Sequence, residues 1–373
     1  SGALLWLSHF DTTSGVAIKE PVLDSSDHVF LTGYFTGKLT VDGTTLSKFN
    51  YEDSFAVKLD GASGDLLWLS QFKSIHQVVA REPVLDASGN LIVSGVFYKN
   101  LTLGQVILPN PNGLHTFVAK LDGTSGALLW HSHITTYTER AAISNVNGDV
   151  LLTGYFTGNI TVGGIPFSTP SGSALFTMKL DGTSGTLRWL SRFYASTGYV
   201  QQHPLQLDAS GNLILVGAFT DTLTLGGTTL SNSSSGNFAF DYFVGKLDGV
   251  SGALLWHSHL DGAGSMSLGY PSLDASGNAT ISGWFESSIT LNGITLSSGN
   301  TYDFNNFVAK FQGSSGELFW AQKFGNIDWL AVASPESSFV AGTFRDSLDL
   351  GGPTPLTSAG CSDIFLAKLP ATP

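Results

Sequence analysis

The amino-acid sequence predicts an all-β protein, specifically a six-bladed β-propeller, from three observations. Charged residues make up only 12% of the 373 residues against 42% apolar, and glycine alone occurs 44 times, a balance that suits strands and tight turns. A tryptophan-bearing segment recurs six times. Between recurrences, alternating apolar stretches are bounded by clusters of Gly, Asn, Asp and Ser, as strands joined by turns require. Repeated four-strand units are the signature of a propeller, which takes four to eight blades.

The recurring segment reads GALLWLSHF at Gly2, GDLLWLSQF at Gly64, GALLWHSHI at Gly126, GTLRWLSRF at Gly185, GALLWHSHL at Gly252 and GELFWAQKF at Gly316. Its tryptophans, Trp6, Trp68, Trp130, Trp189, Trp256 and Trp320, are spaced by 62, 62, 59, 67 and 64 residues. Each unit of about 62 residues reads alike. A first strand such as EPVLD (Glu82 to Asp86) turns through ASGN into a second strand, LIVSGVF. An extra hairpin, LTLGQVIL, and a variable loop follow. The third strand, TFVAKLD, turns through GTSG into the tryptophan strand. The hairpin recurs from Leu39, Leu101, Ile160, Leu223, Ile289 and Leu348, and its central DG, GG and NG pairs supply the positive φ of two-residue turns.

The predicted blades cover approximately 16–72, 73–134, 135–193, 194–260, 261–324, and 325–373 completed by 1–10, all in a single domain. Residues 1–10 supply only a fourth strand and Asp363 to Leu369 only a third. Their pairing would close the ring three-plus-one and remove two open sheet edges. The same pairing between neighbouring molecules would give a head-to-tail polymer; a closed monomer is the expectation.

The net charge of −12, with 17 Lys and Arg and no basic cluster, argues against nucleic acid as a partner. A single cysteine, Cys361, excludes an intrachain disulfide and a cysteine-based metal cluster. No apolar run approaches the ~20 residues of a membrane-spanning helix, so no membrane insertion is expected. No leader-like stretch opens the sequence, which reads as a mature or trimmed form.

The units resemble the bacterial SBBP-type β-propeller repeat, which combines LDxSGNxxVxGxF with FVAKLDxxGxxxW. The matching stretches are Leu85 to Phe97, Leu207 to Phe219 and Phe117 to Trp130, and the resemblance extends over all the repeats. The Asp-x-x-Ser-Gly-x-x-x-Trp spacing is also similar to the tryptophan-docking motif of quinoprotein propellers. Those enzymes have eight blades and often a vicinal cysteine pair, so one cysteine and six repeats speak against a quinone; no cofactor is expected. The SBBP resemblance implies a secreted or cell-surface protein, and it does not imply an enzyme.

His131 and His133 share a strand face and would bind a transition metal weakly, but with no third ligand in view the expectation is no metal site. Aspartates of the turns (Asp24, Asp86, Asp208, Asp274, and Asp60, Asp122, Asp181, Asp248) lack the converging oxygens calcium needs and read as turn caps. Gly33, Gly95, Gly154, Gly217, Gly283 and Gly342 read as close-approach points, and the repeat tryptophans as interblade packing.

One end of every unit carries short, nearly identical turns, while the other carries connections that differ in each blade. The variable end is therefore the expected ligand face. Counting back five residues from the first-strand turn gives Lys19, Arg81, Arg140, His203, Gly269 and Asp328, and one residue closer Glu20, Glu82, Ala141, Pro204, Tyr270 and Trp329; with the adjacent Glu139, the charged and aromatic members of this set suit a glycan or a surface-protein ligand. The same residues also admit a structural reading, a ring of salt bridges between adjacent blades. Asn100, Asn159, Asn232 and Asn278 head N-x-[ST] sequons. The expected function is a noncatalytic extracellular or cell-surface binding or scaffold module. Two alternatives stand: a structural protein that polymerises, and a carbohydrate-active enzyme using Glu20, Glu82 and Glu139 with His203 and Arg140. No motif selects a catalytic pair.

Overall fold

A computed structural model describes residues 2–49, 51–136, 143–144, 148–195, 200–202, 206–232, 240–299, 304–325, 327–333, 339–345, 347–348 and 355–369. Every regular element among them is a β-strand. The chain forms two compact units, residues 1–170 with 176–190, and residues 171–175 with 191–373.

In the first unit the second repeat shows the plan. Its second strand, Leu91–Tyr98, pairs antiparallel with the third, Leu114–Leu121, with Gly95 opposite Phe117. The third pairs in turn with the tryptophan strand, Leu128–Ile134, with Lys120 opposite Trp130. Gly95 is required by packing: a Cβ there would lie 2.5 Å from the Phe117 ring and 2.6 Å from the Val79 carbonyl. The first repeat has the same ladder through Val29–Phe35, Asp53–Leu59 and Leu66–Ser74. In the second unit, Ala279–Glu286, Phe304–Phe311 and Leu318–Phe324 repeat it.

Two features depart from the sequence expectation. First, much of the segment expected as a variable loop before the first strand is itself strand. Gln77–Ala80 and Val84–Leu85 both pair with the second strand, as do Val16–Ile18 and Val22–Leu23, and Met266–Leu268 and Ser272–Leu273. The break between the two pieces falls at Pro21, Pro83 and Pro271, where the missing N–H interrupts the ladder.

Second, the extra hairpin does not extend its own repeat's sheet. Leu101–Leu103 pairs with Phe72–Ser74, the end of the preceding tryptophan strand. Lys38–Val41 does the same with Phe10–Thr12, and Ser288–Leu291 with Leu260–Gly262. The hairpin lies on the edge of the tryptophan strand opposite the third strand, Phe72 pairing with Ser54 on one side and Leu103 on the other, so it satisfies the backbone groups of that outer edge while burying Leu101, Leu103 and Leu108. The hairpin turns take positive φ at Asp42, Gly43, Asn292 and Gly293, as the sequence predicts.

Among the described residues the expected ring-closing ladder is absent. Asp363–Lys368 pairs with Phe339–Phe344 and with no other described strand, and residues 2–9 form no strand. Side chains anchor the N-terminal segment instead. Trp6 Nε1 donates to the Gly61 carbonyl at 3.0 Å and Ser8 Oγ to the Gly64 carbonyl at 2.5 Å, contacts that need no ladder. The sheets of repeats one and two pack face to face; Trp68, Phe72, Val93, Phe97 and Phe117 belong to one buried cluster spanning them.

Candidate functional site

The repeated ionisable residues are engaged in architecture. In the LDASGN turn, Asp86 Oδ1 accepts the N–H groups of Ser88 and Asn90, both at 2.9 Å. Its other oxygen lies 2.6 Å from Lys120 Nζ, and Lys120 also donates to the Gly182 carbonyl of the next repeat at 2.7 Å. Burial alone would raise the Asp86 carboxyl, but Lys120 and the Asn90 amide and backbone together hold it below its usual value. Asp208 with Lys246 and Asp274 with Lys310 pair at 2.8 and 2.9 Å, and Lys58 with Asp24 at 3.1 Å. These lysines, at most 9% exposed, were not singled out by the sequence reading. Their signal was a lysine repeated inside an otherwise apolar strand, FVAKLD, where burial demands a partner.

The DGxSG turn is self-contained. Asp122 Oδ1 accepts the N–H groups of Thr124 and Ser125, and the Ser125 hydroxyl and backbone lead in holding its carboxyl low. The tryptophan of the preceding repeat docks on this turn. Trp68 Nε1 donates to the Gly123 carbonyl at 3.2 Å, and Ser70 Oγ to the Gly126 carbonyl at 2.9 Å; Trp256 and Ser258 repeat both contacts on Gly313 and Gly316. The turn aspartates thus act as caps and ion-pair partners, and the tryptophans pack between repeats.

In the first unit the turns of repeats one and two border a cleft of about 530 Å³, lined by Asp24, His28, Lys58, Asp86, Asn90, Gly123 and Thr124 among others. It opens at the regular turns, away from the expected ligand face. Its lysine is already paired with Asp24 and bonded to the Gly123 carbonyl, so it offers no free ammonium.

Of the residues expected at the variable end, Lys19 and Arg81 lie at the break in the first strand, their N–H groups bonded to the carbonyls of Thr32 and Ser94 at 2.9 and 2.8 Å. Lys19 Nζ is 3.6 Å from Glu82 Oε1 across adjacent repeats, a half-exposed pair of small energetic weight. Glu20 is exposed. In the second unit, Gly269 occupies the same backbone place through Ser282, and the neighbouring Tyr270 is 64% exposed. Trp329 lies opposite Thr343 in a ladder whose register shifts at Asp328. Glu139, Arg140 and His203 lie outside the described residues.

The sequon asparagines differ in setting. Asn100 and Asn159 are exposed, Asn232 Nδ2 donates to the Phe219 carbonyl, and Asn278 uses Nδ2 on Asp274 and Oδ1 on the Gly313 N–H.

A polar pair bridges the third and tryptophan strands in several repeats. Gln71 Nε2 lies 2.7 Å from Asp53 Oδ2, and His259 Nε2 lies 2.9 Å from Asp241 Oδ2. In the second repeat the carboxylate is replaced by His115, whose Nδ1 lies 2.9 Å from Nε2 of His133. Burial, then the neighbouring His115 and His131, holds the His133 imidazole at about 4; burial lowers His115 and His131 as well. Among the described residues no group of three His, Cys, Asp or Glu side chains forms a metal-binding set, and no helix is long and apolar enough to cross a membrane.

No protein-family model matches the chain, and no match was found among curated proteins; the SBBP resemblance therefore rests on its motifs. Solved structures do align. BamB from Moraxella catarrhalis is 11% identical over 93% of this chain and 90% of its own, with a TM-score of 0.35. A quinohemoprotein alcohol dehydrogenase from Comamonas testosteroni is 10% identical over 89% and 71%, with a TM-score of 0.34. A europium-containing methanol dehydrogenase is 9% identical over 90% and 84%, with a TM-score of 0.27.

Proposed function

We propose that the protein is a noncatalytic binding or scaffold module, a six-bladed propeller in the SBBP manner working outside the cell or at its surface. One observation carries the reading. The ionisable residues that recur from repeat to repeat are held in internal pairs and caps, as with Lys120, Asp86 and the Gly182 carbonyl, so the recurring part of the units supplies rigidity and no reactive group. What varies is presented at the break in the first strand, where Lys19, Glu20, Arg81, Glu82 and Tyr270 stand. The proposed ligand set adds Glu139, Arg140, His203, Asp328 and Trp329, and the ligand class is a glycan or a surface protein, met by stacking and hydrogen bonds.

A glycan array probed with the intact chain tests the ligand class. Saturable binding of a defined glycan that weakens in Tyr270→Ala and Glu82→Ala supports the proposal. An array without signal, or binding indifferent to both changes, removes the glycan reading. Turnover of any bound oligosaccharide would overturn the noncatalytic assignment.

A further inference from the structure

The geometry points to a transition-metal site at His115 and His133, a two-nitrogen clamp for Cu²⁺ or Ni²⁺ whose remaining positions are filled by water. His115 Nδ1 and His133 Nε2 are 2.9 Å apart, and the ring centroids are 5.0 Å apart with a 40° tilt. Two imidazole nitrogens each about 2.0–2.1 Å from an ion, and at right angles to each other about it, are themselves about 2.9 Å apart. That is the cis arrangement of square-planar and octahedral coordination, the geometries of Cu²⁺ and Ni²⁺. The spacing for tetrahedral coordination is wider, which favours these ions over Zn²⁺.

The surroundings supply what such a clamp needs. Phe97 packs against both rings, its centroid 6.0 Å from that of His115 and 5.3 Å from that of His133, and restricts their rotation. Both side chains remain partly exposed, which admits the ion and its waters. The sister repeats sharpen the contrast: where Asp53 meets Gln71 and Asp241 meets His259, a carboxylate accepts from a donor. The second repeat alone among these three sets two imidazoles face to face. His131, the histidine nearest in sequence to His133, is not part of the clamp; its place in the first repeat is taken by Leu69.

The test uses the full chain stripped of metal and titrated with Cu²⁺ alone, followed by calorimetry and by electron paramagnetic resonance. His133→Gln and His115→Asn place at each site a residue that a sister repeat already carries, Gln71 or Asn305, and circular dichroism checks that both fold. The expected result is a saturable site with hyperfine coupling to two imidazole nitrogens. Each variant should weaken it at least by the roughly tenfold that loss of even a supporting partner costs a metal site. His131→Leu should leave affinity and spectrum unchanged. Absence of saturable binding up to millimolar Cu²⁺ would reduce the pair to an N–H···N hydrogen bond and overturn the proposal. So would binding that survives both variants, or binding abolished by His131→Leu.

Discussion

The ammonium of Lys120 lies 2.6 Å from the carboxylate of Asp86, and the same ammonium reaches the Gly182 carbonyl of the following repeat at 2.7 Å. One buried cation thus ties a turn within its own repeat to a turn of the next. Replacing Lys120 by Met leaves Asp86 buried without its counter-ion, and loss of one partner of such a pair costs about 3–5 kcal/mol. Lys120→Met with Asp86→Leu removes both charges and should recover most of that loss, apart from the Gly182 contact. Urea unfolding of the two variants checks it; equal destabilisation of both would mean the charge pairing contributes little.

The same pairs set the acid limit. Burial opposes ionisation of Asp86, Asp208 and Asp274, yet lysine and asparagine contacts hold all three carboxyls below the ordinary carboxylate value. A carboxylate depressed on folding stabilises fully above its unfolded value, and that contribution is lost as pH falls through the folded one. Stability should therefore drop steeply below pH ~4. Asp208→Asn, less stable at neutral pH, should show a shallower drop in the same window when thermal midpoints are compared.

His133 acts over a higher range. Its imidazole falls from 6.5 to about 4 on folding, through burial and then His115 and His131, so the unfolded chain binds the proton more readily. Its contribution is present above pH 6.5 and declines as pH falls toward 4, at up to about 1.4 kcal/mol per pH unit. In His133→Gln, denaturant midpoints between those limits should depend less on pH than in the parent, measured without added metal. An unchanged slope would show that His133 binds its proton as readily in the folded chain as in the unfolded one.

Two glycines separate turn strain from packing. Gly126 has φ of +69° and a Cβ there would lie 2.7 Å from the Trp68 ring; Gly104 has φ of +58° with nothing within 4 Å. Gly104→Ala should cost about 1–2 kcal/mol for the left-handed backbone. Gly126→Ala adds overpacking of about 1–3 kcal/mol and should also shift Trp68 fluorescence, whereas the Gly104 variant should not. Similar losses in both would mean the tryptophan docks loosely.

The strand plan was legible because its signals are local. Period-two alternation marks the second and third strands, and DG or NG pairs mark the hairpins. What the hairpins pair with was not legible: Leu101 meets Ser74, and nothing in LTLGQVIL distinguishes the outer edge of the preceding tryptophan strand from an edge of its own sheet. Lys120 was overlooked because its partners, Asp86 and Gly182, lie 34 and 62 residues away. His115 escaped notice for the same reason, since only the antiparallel register of Phe117 with His133 brings it against that ring.

The third repeat supplies a natural rearrangement that tests the turn's logic. Where repeats two, four and five read Asp-Ala-Ser-Gly-Asn, it reads Asn145-Val-Asn-Gly-Asp149, with acid and amide exchanged. Asp149 takes on both tasks: its Oδ1 accepts the Gly182 N–H at 3.0 Å, as Asn90 does for Gly123, and its Oδ2 lies 3.1 Å from Lys179. Arg188 Nε stands 3.2 Å away on Oδ1. Asp149→Asn keeps the amide's role but strips the buried Lys179 of this charge, and should cost about 3–5 kcal/mol. Adding Asn145→Asp rebuilds the order found in the sister repeats and should restore much of the loss in urea unfolding. A double variant no more stable than Asp149→Asn would mean that the carboxylate must stand at position 149 in this repeat, with Arg188 the residue that demands it.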